Sequence, residues 1–182
     1  NGWFSPSMME LTDSVMEDST AATENPKPPS TIGHPSMMSP HASPIAVHDE
    51  RVFVVNTPSD TVDVMDAHTR KIVHRVDVGI DPVSIAVRPD GKEVWVANHI
   101  SDSVSVIDND RSSSTFLHVI ATVQDFDNRT KTTRFDEPVG IAFASNSKAY
   151  VALSSTNEVA VIDIAGGYSI SKRLRITAQE PR

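Results

Sequence analysis

Three pentapeptides of near-identical pattern recur along the chain: VFVVN at 52–56, VWVAN at 94–98 and AYVAL at 149–153. A second apolar pulse follows each within a few residues: VDVMD, VSVID and VAVID. Extending the alignment outward predicts four short strands per repeat. The first repeat reads SPIAV, RVFVVN, DTVDVMD, KIVHRVDVG. The second reads DPVSIAV, EVWVAN, DSVSVID, HVIATVQDF, and the third EPVGIAF, KAYVAL, NEVAVID, KRLRITA. β-Branched residues dominate these runs, and Gly, Pro, Asn, Asp and Ser punctuate them. Val52 to Val94 is 42 residues and Asp66 to Asp108 is again 42, whereas Asp108 to Asp163 is 55. The second repeat therefore carries an insertion of about 13 residues, between residues 109 and 136.

A four-stranded unit at this period predicts an all-β fold, a β-propeller with about three four-stranded blades. A blade hides both faces only by stacking between two others, so its strands are apolar on both sides rather than strictly alternating. The expected divisions are an arm over 1–42 and a partial propeller over 43–182. Blade 1 is about 43–80, blade 2 about 81–136 with the insertion 109–136, and blade 3 about 137–180. Asp66, Asp108 and Asp163 end the third strand of each repeat, where a short carboxylate accepts backbone N–H groups and turns the chain. Pro44, Pro82 and Pro138 are expected to precede each first strand, where they stiffen the crossing and donate no ladder hydrogen bond.

The arm has a different character. Seven of the 12 prolines fall in residues 1–44, and residues 25–44 show no periodicity. Ahead of that stretch, Ser7 and Glu10 have the spacing of a capping box, and Met8, Leu11 and Val15 share one face of a short helix. Residues 1–50 hold seven acids and one base, Lys27, and so account for −6 of the net charge of −8. A nearly neutral body with an acidic leader argues against nucleic-acid binding. No apolar run approaches membrane-spanning length. Cysteine is absent, which removes disulfides, thiolate metal sites and a CxxCH haem attachment from this segment.

RPDGKEVWVANHISDSVSVID at 88–108 resembles the repeat of the YVTN β-propeller family, found also among cell-surface and surface-layer proteins. The aromatic position is Phe53, Trp95 and Tyr150, and the Asn position is Asn56 and Asn98, with Leu153 departing in the third repeat. The resemblance covers about 140 of the 182 residues. It implies a periplasmic, extracellular or cell-envelope setting and relatives that append c-type cytochrome domains. Propellers close with roughly four to eight blades, and ITAQEPR places Pro181 where Pro82 and Pro138 stand. The expected partners are accordingly the remaining blades or domains of the same polypeptide, or a partner chain, with two copies sharing a ring as the alternative.

No GxSxG, HExxH or Gly-rich phosphate loop is present, so no catalytic residue is assigned. Loops joining second to third strands, and each fourth strand to the next first strand, gather at one end of a propeller. That end presents Asn56, Asn98, His99 and Ser154, with Asp81 and Asp136 from the crossings, as candidate ligand-binding residues. His99 is singled out because Thr57 and Ser154 hold its place in the other repeats, and a neutral imidazole there can ligate metal or move protons. A hydrogen-bonded turn residue is the plainer reading. His34, Met37 and His41 are soft or borderline copper ligands within eight residues. Prolines interrupt them, and packing accounts for the methionines more simply. The insertion is expected at the rim, as a contact arm rather than a lid. Two functions stand. One is a scaffold or binding module. The other is the propeller part of an oxidoreductase with no cofactor in this segment, and haem c or copper in the rest of the protein.

Overall fold

Alternating and continuous runs of Val, Ile and aromatic residues become strands where a neighbouring strand supplies ladder partners. The computed structural model describes residues 42–177. Blade 1 comprises β1 (Ile45–His48), β2 (Arg51–Asn56), β3 (Thr61–Asp66) and β4 (Ile72–Asp77). Blade 2 comprises β5 (Pro82–Val87), β6 (Glu93–Asn98), β7 (Ser103–Asp108) and β8 (Val119–Val123). Two short strands follow, β9 (Phe126–Asp127) and β10 (Thr132–Thr133). Blade 3 comprises β11 (Pro138–Ser145), β12 (Lys148–Leu153), β13 (Glu158–Asp163) and β14 (Ser169–Arg175). Each blade is an antiparallel meander in the order in which the chain makes it. This is the β-propeller architecture, and the three repeats are its blades. The arm with its capping box, His34, Met37 and His41 lies outside the described residues.

Registers repeat as faithfully as the sequence. Val52 opposes Met65, Val94 opposes Ile107 and Ala149 opposes Ile162. A bulge interrupts the third-to-fourth pairing after Val64, Val106 and Val161, the same repeat position three times. Such an extra residue bends the outer strand and increases its twist.

Position in the stack decides burial. Blade 2 lies between the other two, and every residue of β6 and β7 is buried. Phe53, Val55, Val62, Val64 and Val76 of blade 1 meet Ile85, Val94, Val96 and Ile107 of blade 2. Trp95, Ala97, Val104 and Val106, on the opposite face of blade 2, meet Ala149, Val151, Leu153, Ala160 and Ile162 of blade 3. Burying a residue such as Phe53 completely contributes about 1.5–3 kcal/mol. β2, by contrast, alternates buried and half-buried along its length, because only one of its faces meets another described sheet.

The turn-forming role expected of the three strand-ending aspartates is realised. Asp66 Oδ1 accepts the N–H groups of His68 and Thr69 at 3.1 and 2.7 Å. Asp108 accepts Asp110 N–H at 2.9 Å and the Thr115 hydroxyl at 2.6 Å, and Asp163 accepts Gly166 N–H at 3.1 Å. Hydrogen bonds from Thr69 hold the Asp66 carboxyl below the usual range.

The insertion divides in two. One part lengthens the turn between β7 and β8, where Leu117 N–H returns to Asp108 O at 2.8 Å. The other occupies the crossing from β8 to β11 and folds as the β9–β10 hairpin. That crossing meets β11 at Pro138, which pairs with Leu153 at the β12–β13 end of the sheet. The expectation of a rim arm therefore holds for neither the whole insertion nor its hairpin. The hairpin stands beside the loop that joins β6 to β7, because the extra residues entered the crossing as well as the turn.

Candidate functional site

The loops 57–60, 99–102 and 154–157 join second to third strands, and the crossings 78–81 and 124–137 join consecutive blades. Their geometry is set by a repeated clasp. Asp60 and Asp102 each end a loop with positive φ, 55° and 49°, a conformation that Asp and Asn tolerate better than most residues. From there Asp60 Oδ1 accepts Asp81 N–H at 2.9 Å, and Asp102 Oδ1 accepts Glu137 N–H at 3.0 Å. Asp81 and Glu137 themselves sit at φ 61° and 50° immediately before the prolines that open β5 and β11. Their carbonyls then accept from the following loop: His99 N–H to Asp81 O at 2.8 Å, Ser154 N–H to Glu137 O at 3.0 Å. One carboxylate and one carbonyl thus tie three segments of two adjacent blades.

The candidate residues fall into this framework as two groups, one at each blade junction. Asp81 is buried, with Asn98 and His99 beside it. Asn98 is fully buried, and its amide donates to Ser103 Oγ at 3.1 Å and Ser105 Oγ at 3.0 Å. Its Oδ1, like Nδ1 of the half-buried His99, is buried with no hydrogen-bond partner. Gly79 lies so close that a Cβ there would come within 2.6 Å of Asn98 Nδ2. Asn56, the equivalent of Asn98, is only half-buried and reaches Thr61 Oγ1 at 3.4 Å. At the second junction, Ser154 Oγ donates to the Glu137 carbonyl and to Glu137 Oε2, each at 3.1 Å. Asp136 accepts the Ser155 hydroxyl at 2.8 Å.

At the second junction the Ser154 and Ser155 hydroxyls are engaged by the crossing residues Glu137 and Asp136, whereas the Asn56 and Asn98 side chains bond within their own blades. Among the described residues there is no group of three or more His, Cys, Asp or Glu able to hold a metal ion, and no carboxylate of the second junction joins His99 in one. Asp102 is the electrostatically unusual residue. Burial first, and the neighbouring Asp136 after it, push its carboxyl above the ordinary value of 3.8 against the lowering effect of the Glu137 N–H.

Sequence reasoning missed Asp60 and Asp102 as the clasping pair, although an Asp or Asn recurs at 60, 102 and 157. It also missed the cleft that the hairpin makes with the β6–β7 loop, lined by Ile100, Ser101, Asp102, Phe126, Lys131 and Thr133 among others. The insertion itself was its only signal.

The Cytochrome D1 heme domain family matches the sequence over residues 31–181, most of the chain. The chain belongs to that family. The match places these strands in a haem-domain propeller family. No curated protein matches. Among solved structures, Kuenenia stuttgartiensis hydrazine synthase is 32% identical with a TM-score of 0.60, covering 73% of this chain and 34% of that one. The chain thus spans about a third of that protein's length. The dihydro-heme d1 dehydrogenase NirN, solved in complex with DHE, is 21% identical with a TM-score of 0.54, over 70% of this chain and 26% of that one. The β-propeller domain of Myceliophteria thermophila Cps50 (Swd1) is 15% identical with a TM-score of 0.60, over 76% and 44%. The last two likenesses speak to the fold alone.

A haem would need an axial ligand and cations for its carboxylates. The described junctions carry Asp60, Asp81, Asp102, Asp136 and Glu137 instead, and His99 stands without a second ligand. By themselves these residues do not fit a haem. No helix among the described residues is long and apolar enough to cross a membrane.

Proposed function

We propose that this chain is a rigid propeller scaffold and binding module within a larger haem-associated protein of the cell envelope, periplasmic or extracellular. The observation that carries the reading is the double use of the loop end. The loops gathered at this end of the blades are locked by the Asp60–Asp81 and Asp102–Glu137 clasps. Locked loops hold a surface in place at low entropic cost on binding. The half-buried outer face of β2, and Ile45 and Val47 of β1 at 54% and 63% exposure, suit stacking against further blades of the same polypeptide or a partner chain.

The second reading is an oxidoreductase whose haem c or copper centre belongs to the remainder of the protein. It is favoured by the family description and by the 32% identity to hydrazine synthase. In that case His99 faces the centre as one wall residue.

Titration of haemin into the purified chain, followed by its absorption spectrum, tests the scaffold reading of these blades. The scaffold reading expects no stoichiometric band shift and no difference between wild type and His99→Ala. A one-to-one shift abolished by His99→Ala would overturn it in favour of a haem site in these blades.

A further inference from the structure

We propose that the cleft between the 99–102 loop and the β9–β10 hairpin is a binding site for a small organic anion with a flat apolar body, such as an aromatic monocarboxylate. Of the two described crossings only that from blade 2 carries a hairpin, because the crossing from blade 1 at 78–81 is too short to make one.

The hairpin is a fixed wall. Phe135 at its base is fully buried in the core between blades 2 and 3. Arg173 of β14 grips both stems, donating to Asp125 Oδ2 at 2.5 Å and to the Arg134 carbonyl. Arg134 N–H closes the stems on Asp125 O at 3.0 Å. On this anchored frame Phe126 stays 46% exposed, and Ile100 across the cleft 48%. Two large apolar side chains held open on opposite walls of one cleft supply a slot for a flat apolar group.

The polar groups favour an acceptor. Lys131 lines the cleft and has no ion-pair partner among the described residues. Thr133 Oγ1 accepts Phe135 N–H at 3.0 Å, so its own proton remains to donate. Gln124 adds an exposed amide. Asp102 is the one acid in the lining. Its Oδ1 is already engaged by Glu137 N–H, and Asp136 and Glu137 lie near it outside the lining. A cleft volume of about 260 Å³ suits a single ring with a carboxylate, and is too small for a tetrapyrrole.

Benzoate and its uncharged counterpart benzamide, titrated by calorimetry or ligand-observed NMR into the whole chain, test the proposal. Benzoate is expected to bind about five- to tenfold tighter than benzamide, the size of a partly exposed charge-assisted hydrogen bond. Lys131→Gln should abolish that preference while leaving benzamide unchanged, and Phe126→Ser should weaken both. Both residues are exposed on the hairpin, so neither change threatens the core. Equal affinity for the two probes, no binding of either, or a preference that survives Lys131→Gln overturns the proposal.

Discussion

Asp60 reaches across a blade junction to the backbone N–H of Asp81, 21 residues along the chain, at 2.9 Å. One repeat later Asp102 does the same for Glu137 at 3.0 Å. In each case the acceptor is a left-handed residue at a loop end and the donor a left-handed residue before a proline. The geometry resembles a helix N-cap transplanted to a blade crossing: a side-chain oxygen satisfies an N–H that the sheet ladder leaves over.

Replacing Asp60 by Ala should therefore destabilise the fold by about 1–2 kcal/mol, the cost of an unsatisfied buried N–H. Asn retains the acceptor and the tolerance for positive φ, and should recover most of the loss. Denaturant midpoints of the two variants check this. Equal destabilisation by Ala and Asn would mean that charge rather than the hydrogen bond matters at this junction.

Asp102 adds a pH dependence. Burial, followed by Asp136, raises its carboxyl above its ordinary value of 3.8. The folded chain therefore holds that proton more readily than the unfolded chain. The resulting stabilisation is present below the ordinary value and is lost as pH rises through the raised one. Asp102→Asn keeps an acceptor for Glu137 N–H without the charge. Its melting temperature relative to wild type should rise between acid and neutral pH, and a flat difference would show that Asp102 is not desolvated.

Gly79 tests how tightly the first junction is closed. A Cβ on it would come within 2.4 Å of Ser101 Oγ and 2.7 Å of Asn98 Cγ. Asn98 is fully buried and held by two serines, so it cannot yield cheaply. Gly79→Ala should cost about 1–3 kcal/mol by overpacking. Ser101→Ala in the same chain should return part of it, measurable as a double-mutant cycle.

The strands were legible because blade 2 is buried on both sides: β6 and β7 carry apolar residues on both faces, VWVA and the Val, Val and Ile of VSVID, with the buried Asn98, Ser103 and Ser105 bonded to one another. Asp66, Asp108 and Asp163 were legible for a related reason, since each repeat turns at the same place. The clasp was half visible. Asp60, Asp102 and Asn157 recur at the repeat period, but read as strand starts they give no hint that their side chains cross to another blade. The hairpin was invisible, because β9 and β10 are two residues each and no periodicity can be read in so few. Arg173, which anchors it, arrives from 39 residues beyond Arg134, and its role depends on tertiary packing alone.

The same limit applies to Glu93, whose repeat equivalents are Arg51 and Lys148 and which no pattern singles out. It is buried, accepts the Trp95 indole N–H at 2.8 Å and the Tyr168 hydroxyl at 3.0 Å, and pairs with Arg88. Trp95 stacks edge-on with Tyr168 at 5.8 Å and with Phe143 at 5.2 Å, so one carboxylate organises the aromatic junction of blades 2 and 3. Burial, with Glu93 next, pushes the Tyr168 phenol up from 10.0 to about 12. A raised folded value favours the protonated phenol, so its contribution is complete below the ordinary value and disappears as pH climbs from about 10 toward 12. Tyr168→Phe should cost about 1 kcal/mol at neutral pH, the net worth of one hydrogen bond, and should flatten the alkaline decline in stability. The tyrosinate absorbance of the folded wild type should show a late-titrating phenol that the variant lacks. If Tyr168 instead ionises with an unperturbed tyrosine, its hydroxyl is not held by Glu93 and the junction rests on ring packing alone.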